Sequence, residues 1–497
     1  MMNKKILKKS PFVFYYKINK EIGSFYNSVT MDVIFGKNSF FKKIDNNKKL
    51  INFNFTKQNE IKALEVLKKN GFLVKKDNSF NKIKQASIRS TDLIAMYLIL
   101  TENCNFRCRY CAFFSNLPQN YKPQVMSREM ASRALELFSK SCSKNKKRKK
   151  SIVLYGGEPL LNFDTFKYVA MAIRDKNFEK KCGGNIEIVT FTNGSLITSE
   201  IAKFCGKYRI KVIVSLDGPK KIHDSMRIDT NKNGTFDRIV AGYFLLQKYG
   251  CEVGISATVA SHNFNRLPAI ISFFKKNLKP INIGLNPLHA SNDGDKNSWS
   301  LSLEKSSYAM IEAFKKSRKL GLYIEQVMKR VRPFVEKTPR IKDCPSCGGL
   351  IRFYPSGNYG PCGHFVSMGK NCLSINDAVN WEKSKIKKDW SSRSSFSMGK
   401  TCKQCPAISI CGGGCPLNAY KINGNIMSID NRICIQSKIF LEWLINDLYD
   451  IIKSKYIKKS LVLSPNKNDR KKIYGQINML NKKLPLQQYS KFGEIHE

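Results

Sequence analysis

The stretch Thr101-Glu102-Asn103-Cys104-Asn105-Phe106-Arg107-Cys108-Arg109-Tyr110-Cys111 decides how the rest of the chain is read. Its cysteines are spaced Cys-x3-Cys-x2-Cys, with Tyr110 directly before the third. Three thiolates on one short loop can hold three irons of a [4Fe-4S] cluster. The fourth iron then has no protein ligand and is open to a substrate. Zinc sites and closed clusters take four protein ligands, so a trio points to a reactive site. The competing reading is a zinc knuckle short of one ligand. The apolar run 93–100 before the trio reads as a strand, which puts the cysteines on a loop at a strand's end.

Working outward, residues 92–320 alternate. Strand-like runs fall at 93–100, 151–155, 186–191, 211–216, 253–259 and 281–286, with amphipathic helical stretches between them at 128–139, 163–174 and 264–275. Six β-α units imply an α/β fold with a parallel sheet and right-handed crossovers. Function is then expected at the C-terminal ends of the strands.

Those ends carry further polar residues. Gly156-Gly157-Glu158-Pro159 follows the second strand; the glycines let backbone approach a ligand, and Glu158 offers an acceptor for an ammonium group. A plain β-α turn is the alternative. Thr192-Asn193-Gly194 ends the third strand, and Ser215-Leu216-Asp217-Gly218-Pro219 ends the fourth, followed by His223, Asp224 and Arg227. A hydroxyl (Ser215) beside a guanidinium (Arg227) makes a carboxylate receptor, against the alternative that Arg227 forms a surface salt bridge. Asp217 reads as a turn residue, and His223 and Asp224 as residues that order the loop.

Nine of the 16 cysteines lie from Cys344 to Cys434. They include Cys402-x2-Cys405-x5-Cys411-x3-Cys415, then Cys434, preceded by Cys344, Cys347-x9-Gly357-x4-Cys362. The crossed spacing favours clusters over a zinc ribbon. Cys142, Cys182, Cys205, Cys251 and Cys372 read as small buried hydrophobes, Cys372 with a relay-thiol role as the alternative.

On these motifs the chain resembles the radical S-adenosylmethionine (SAM) family with a twin-cluster SPASM extension. The resemblance implies a partial (β/α)6 TIM-like barrel over 92–320 and a Cys-rich SPASM domain over 340–440. It implies that Cys104, Cys108 and Cys111 hold the SAM-binding cluster. Gly156, Gly157 and Glu158 are then expected to hold the amino group of SAM, and Ser215 and Arg227 its carboxylate. One auxiliary [4Fe-4S] cluster would use Cys347, Cys362 and Cys415, with Cys344 as fourth ligand; the other would use Cys402, Cys405, Cys411 and Cys434. That makes three clusters in all. The family acts largely on peptides and proteins, with a flavodoxin- or ferredoxin-like electron donor.

Residues 1–90 read as a separate small module. Runs at 12–18 and 25–35 suit strands, and a helix from about Lys57 to Lys69, capped by Thr56, would turn Ile61, Leu64 and Leu67 to one face. Residues 72–74 resume a strand, and 75–90 read as a polar linker. This pattern suits a winged-helix-like module. The radical SAM/SPASM enzymes that mature ribosomally made peptides often begin with such a module, which recognises the precursor's leader. The expected function is therefore a peptide maturase that installs a thioether or carbon–carbon cross-link. The alternative is an anaerobic sulfatase-maturating, formylglycine-forming enzyme. Those enzymes carry an aspartate base directly after the counterpart of Cys362, where this chain has Gly363.

The net charge of +48 can attract nucleic acid or acidic peptide. Its lysines are spread along the chain, no nucleic-acid motif accompanies them, and a SAM pocket is nothing an RNA clamp needs, so no nucleic-acid partner is expected. No apolar run suits a membrane span or a signal peptide, so a cytoplasmic protein without membrane contact is expected. Residues 441–497 read as a helix over 439–453 and a basic tail.

Overall fold

The computed structural model describes residues 7–46, 58–88, 92–111, 121–184, 186–288, 299, 301–377, 380–455 and 461–477. The N-terminal part contains strands β1 (Lys8–Lys9), β2 (Val13–Lys17), β3 (Ile22–Asn27), β4 (Val33–Lys37) and β5 (Leu73–Val74). β2, β3 and β4 form an antiparallel meander, and β1 pairs with β5. Helices Asn38–Asp45, Gln58–Lys69 and Ser79–Ile88 complete this part. Phe25, Ile34, Phe41, Leu67 and Phe72 are its core.

Three expectations need correction here. The run 25–35 is not one strand. Asn27 Oδ1 accepts from the backbone of Val29 (3.0 Å) and Thr30 (3.1 Å), and Met31 takes φ 59°, which folds the chain into a hairpin. Ile61 is exposed at 44%, while Ala63 and Leu67 are buried. The segment 75–90 contains the helix Ser79–Ile88, anchored by Phe80, whose ring stacks 5.5 Å from Phe12. The Thr56 cap lies outside the described residues.

Strands β6 (Ala95–Thr101), β7 (Lys150–Gly156), β8 (Ile186–Thr192), β9 (Ile210–Ser215), β10 (Val253–Val259) and β11 (Ile283–Pro287) follow in sequence and in space, all parallel. These six strands are the partial barrel. Strands buried on both faces read as near-continuous apolar runs, which is why all six were visible in the sequence. Ile152, Leu154, Ile188, Val212 and Val214 pack under the surrounding helices. Val153, Val189 and Ile213 point the other way, into a separate small cluster with Tyr97 and Phe191. The helical stretch expected over 264–275 is broken into a 3-10 turn Phe264–Arg266, a helix Leu267–Phe273 with Pro268 near its start, and a π turn Phe274–Leu278.

The sheet continues past the barrel. β12 (Leu350–Phe353) runs parallel to β6, then β13 (Asn358–Gly360) and β14 (Leu373–Ser374) add antiparallel, making nine strands. The cysteine-rich region is thereby fused to the first barrel strand. A long helix, Asn431–Ile452, packs against helices Leu303–Leu320 and Glu325–Glu336. β15 (Val462–Leu463) returns to pair antiparallel with β4. Tyr26, Met31, Val33 and Phe35 belong to the same core as the barrel helices, so the N-terminal part is packed onto the body.

Candidate functional site

The cysteine loop leaves β6 and is backed by the end of β7. Gly157 donates its backbone N–H to Thr101 O (2.9 Å), and Glu158 donates its own to Asn103 O (2.8 Å). A Cβ on Gly156 would lie 2.2 Å from Thr101 O, and one on Gly157 2.3 Å from Asn103 O. Both glycines are therefore needed for the loop to lie flat on the strand end, a closer approach than any side chain permits.

Glu158 is 0% exposed. Its carboxylate accepts from Thr192 Oγ1 (2.7 Å), Asn193 N (2.6 Å) and Leu160 N (3.2 Å). Burial pushes its carboxyl up to about 7, against the pull of these donors. The carboxylate expected to receive an ammonium thus already ties β7 to β8. Asn193 continues the chain of bonds, donating to Asn105 Oδ1 (2.8 Å), while Asn105 donates to Ser195 Oγ (3.0 Å). Asn105 sits one residue after Cys104, so Glu158, Asn193 and Ser195 together hold the loop from below.

Ser215 ends β9 half-buried. Arg227 is no surface salt bridge. Its Nη2 lies 3.2 Å from Asp217 Oδ1, and Asp217 is fully buried. Asp217 also accepts from Tyr110 Oη and from Thr258 N (2.9 Å). Arg227 lies over the Tyr110 ring, 5.4 Å from its centroid, a cation–π arrangement. Asp217, read from sequence as a turn residue, is the anchor of this group. Arg227, followed by His223 and the donors Tyr110 and Thr258, keeps its carboxyl below the usual range against the desolvation of burial. Arg227 Nε is buried and without a hydrogen-bond partner among the described residues.

His223 and Asp224 order the loop. Asp217 N donates to His223 Nδ1 (3.3 Å), and the other ring nitrogen meets Thr235 Oγ1 at 3.0 Å. Burial, its largest influence, lowers the His223 pKa to about 4 and keeps the ring neutral. Asp224 Oδ1 accepts from Thr235 N (2.8 Å) and Phe236 N (2.9 Å) at the start of the helix Phe236–Lys248.

The thiols fall into three electrostatic neighbourhoods. Burial pushes Cys104 up to about 12 and Cys108 to about 11; Cys108 and Cys111 add to the first shift and Cys111 to the second, while Arg227 opposes the second. Burial pushes Cys415 up to about 12, with Cys344 and Cys362 adding; Cys347 is raised by burial, then Cys344. Burial pushes Cys402 up to about 11, with Cys405 and Cys434 adding, and Cys411 to about 12, with Cys405 adding. Cys108 and Cys111 thus lie near Cys104, Cys344 near Cys347 and Cys415, and Cys405 near Cys402 and Cys411. Of the five other cysteines, Cys142, Cys182 and Cys205 are buried, whereas Cys251 and Cys372 are half-buried.

Buried ion pairs pin the second field. Asp343 N donates to Gly412 O (2.7 Å), joining the Cys344 turn to the Cys411 turn, and Asp343 takes a 2.6 Å bond from Arg330. Gly412, Gly413 and Gly414 have φ of 73°, 84° and 71°, a left-handed run that favours glycine. Asp430 accepts from Cys415 N (2.9 Å) and caps the helix that carries Cys434. Neither these pairs nor Asn105 and Ser195 had a sequence signal of their own.

The sheet face of Val153 and Val189, turned away from the helices, carries an aromatic group. The rings of Tyr97, Tyr155 and Phe191 are edge-packed at 5.7 and 5.8 Å. Burial raises the Tyr155 pKa, with Arg352 opposing and Cys111 adding. Arg352 lies over Tyr97 and donates to Pro361 O (2.9 Å), beside Cys362. Tyr354 Oη donates to Gly363 O at 3.1 Å. A Cβ on Gly363 would meet Tyr354 Oη at 2.9 Å and Arg352 Cδ at 3.0 Å.

These donor sets fit iron–sulfur clusters. Thiols grouped in threes and fours would be completed when a cationic core replaces their protons. Among the described residues no three His, Cys, Asp or Glu side chains converge as a cage for one metal ion. A four-iron cluster spreads its ligands over separate irons and does not ask for that convergence. The orphaned Arg227 Nε is the kind of buried donor that an anionic ligand group would satisfy.

Sequence and fold comparisons place the chain beside radical SAM proteins. The chain is 25% identical over 385 residues to the radical SAM cyclopropyl synthase TigE of Paramaledivibacter caminithermalis, covering 73% of this chain and 77% of that one. It is 26% identical over 375 residues to a cysteine-type anaerobic sulfatase-maturating enzyme of Clostridium novyi, covering 71% and 96%. Its fold is similar to that of Streptococcus suis SuiB, solved with S-adenosylmethionine and with its precursor peptide SuiA (TM-score 0.52, 16% identity, 86% of this chain and 99% of that). The Radical SAM superfamily model matches residues 98–273. That match begins in β6, spans the cysteine trio, Glu158, Ser215 and Arg227, and ends with the helix after β10: these residues are a domain of the Radical SAM superfamily.

Proposed function

We propose that the chain is a radical SAM peptide maturase that cross-links a ribosomally made precursor through a thioether or carbon–carbon bond. It would hold three [4Fe-4S] clusters: one on Cys104, Cys108 and Cys111, one on Cys344, Cys347, Cys362 and Cys415, and one on Cys402, Cys405, Cys411 and Cys434. Bound at the trio, cluster and SAM supply a 5′-deoxyadenosyl radical that takes a hydrogen atom. The chain's own part is to bind, orient and exclude water. Arg227, held by Asp217, and Ser215 receive the SAM carboxylate; the glycine pair and Glu158 fix the loop that faces its amino group. Tyr97, Tyr155 and Phe191 line the face on which a substrate side chain would lie. Cross-linking removes two hydrogens from the peptide: one as an atom to the adenosyl radical that bound SAM would supply, one as a proton and an electron, for which an auxiliary cluster held by the Cys344 or the Cys402 set would provide the electron acceptor; a flavodoxin- or ferredoxin-like partner would be the electron donor for SAM cleavage.

The observation that carries this over formylglycine formation is the crowding at Gly363. Sulfatase-maturating enzymes place an aspartate base there, whereas here Tyr354 and Arg352 take the space. The relative TigE, named a cyclopropyl synthase, and SuiB with its precursor support a peptide substrate and carbon–carbon chemistry. The N-terminal part would receive the leader by strand addition. β15 already covers the β4 edge, and a Cβ on Gly36 would strike Leu461 O at 2.2 Å, so docking is assigned to the other edge strand, β2. No described helix is long and apolar enough to cross a membrane, in keeping with a cytoplasmic enzyme.

The test is co-expression with short neighbouring reading frames, followed by mass spectrometry. A peptide lighter by two hydrogens, without an aldehyde, supports the proposal; an aldehyde at Cys or Ser refutes it.

A further inference from the structure

His262 follows β10 by three residues, and its side chain is 6% exposed. Neither ring nitrogen has a hydrogen-bond partner among the described residues. Asp217 Oδ2 lies 3.8 Å from Nε2, beyond hydrogen-bond reach, and that carboxylate already accepts from Tyr110, Arg227 and Thr258. Burying a polar group unpaired costs about 1–3 kcal/mol. Such a cost is removed when a ligand supplies the partner.

The place of the ring says which ligand. It lies 6.2 Å from the Tyr110 ring at 30°, and Tyr110 is the residue between Cys108 and Cys111. Arg227, with its own unpartnered Nε, lies against the same Tyr110 ring. Two orphaned groups of different character therefore meet at the cysteine loop. The guanidinium suits an anion. The imidazole is held neutral, since burial lowers its pKa and Arg227 adds to that against the pull of Asp217. A neutral imidazole offers one donor and one acceptor. That pair matches neutral polar groups such as ribose hydroxyls or an adenine edge, not a carboxylate or an ammonium.

We infer that His262 is a SAM-binding residue that hydrogen-bonds the nucleoside half of the cofactor, complementing Arg227 at the amino-acid half. The inference rests on the reading of Cys104, Cys108 and Cys111 as the SAM cluster loop.

The experiment compares reconstituted wild type, H262F and H262Q by thermal melting with and without SAM, and by equilibrium dialysis with SAM. Phenylalanine fills the space without polar atoms, so H262F should melt at or above wild type when SAM is absent. Its Kd for SAM should rise about tenfold or more, the loss of one buried hydrogen bond, and the stabilisation by added SAM should shrink accordingly. H262Q, which keeps a donor and an acceptor, should recover most of the affinity. H262F that binds SAM like wild type, or that melts lower without SAM, overturns the assignment and makes His262 a packing residue. Wild-type protein that binds no SAM at all overturns the underlying reading, and this inference with it.

Discussion

The fully buried Asp217 carboxylate holds Arg227 at 3.2 Å, within the loop that faces the cysteine trio. The pair is separated by ten residues and closes the β9 turn back onto β6 through Tyr110. Breaking one side of a buried pair leaves the other charge uncompensated, at about 3–5 kcal/mol. D217N should therefore lower stability by that order in denaturant melts and abolish measurable SAM binding, while auxiliary iron is kept. Unchanged SAM affinity in D217N would show that Arg227 needs no anchor.

Glu158 Oε1 and Oε2 between them face three donors. In E158Q the amide NH2 must oppose one of them, at about 1–3 kcal/mol. We expect a lower melting temperature and faster loss of iron from the SAM cluster to a chelator. Equal chelation rates in wild type and E158Q would limit Glu158 to a local turn.

G363D tests the crowding beside Cys362. An aspartate there must displace Tyr354 Oη and Arg352, an overpacking cost of about 1–3 kcal/mol. The variant should melt lower and should not gain formylglycine formation on a cysteine-bearing sulfatase peptide. An aldehyde product from G363D would mean that the site differs from a sulfatase maturase by one residue only.

Peptide docking is best followed by hydrogen exchange. Precursor peptide should slow exchange at 13–17 (β2) and leave 33–37 (β4), already closed by β15, unchanged. Slowing at β4 without β2 would place the leader elsewhere. Deleting residues 1–90 is a poorer probe, because Tyr26, Met31 and Phe35 are part of the main core.

Much of the barrel was legible because its strands are buried on both faces and read as apolar runs. Cysteine spacing likewise carried the division of the thiols into three groups, which the proposed function takes as ligand sets. The helix Ser79–Ile88 was missed because Phe80 is a buried anchor in an otherwise mostly polar stretch. The hairpin at 28–32 was missed because an Asn27 side-chain turn and Met31 at positive φ replace the usual Gly or Pro signal. Asp217, Arg352 and His262 gain their meaning from partners such as Tyr110, 107 residues from Asp217. No local pattern encodes such pairings, and a lone His or Asp in sequence says little.

The central claim is that one open and two closed clusters share this chain. Iron and 5′-deoxyadenosine measured on wild type and on the Cys104→Ala, Cys108→Ala, Cys111→Ala triple variant, reconstituted without oxygen, test it most directly. Three four-iron clusters predict about twelve irons in wild type and about eight in the variant, with 5′-deoxyadenosine formed by wild type alone. Iron near four with bound zinc in wild type, or 5′-deoxyadenosine from the triple variant, would contradict the account.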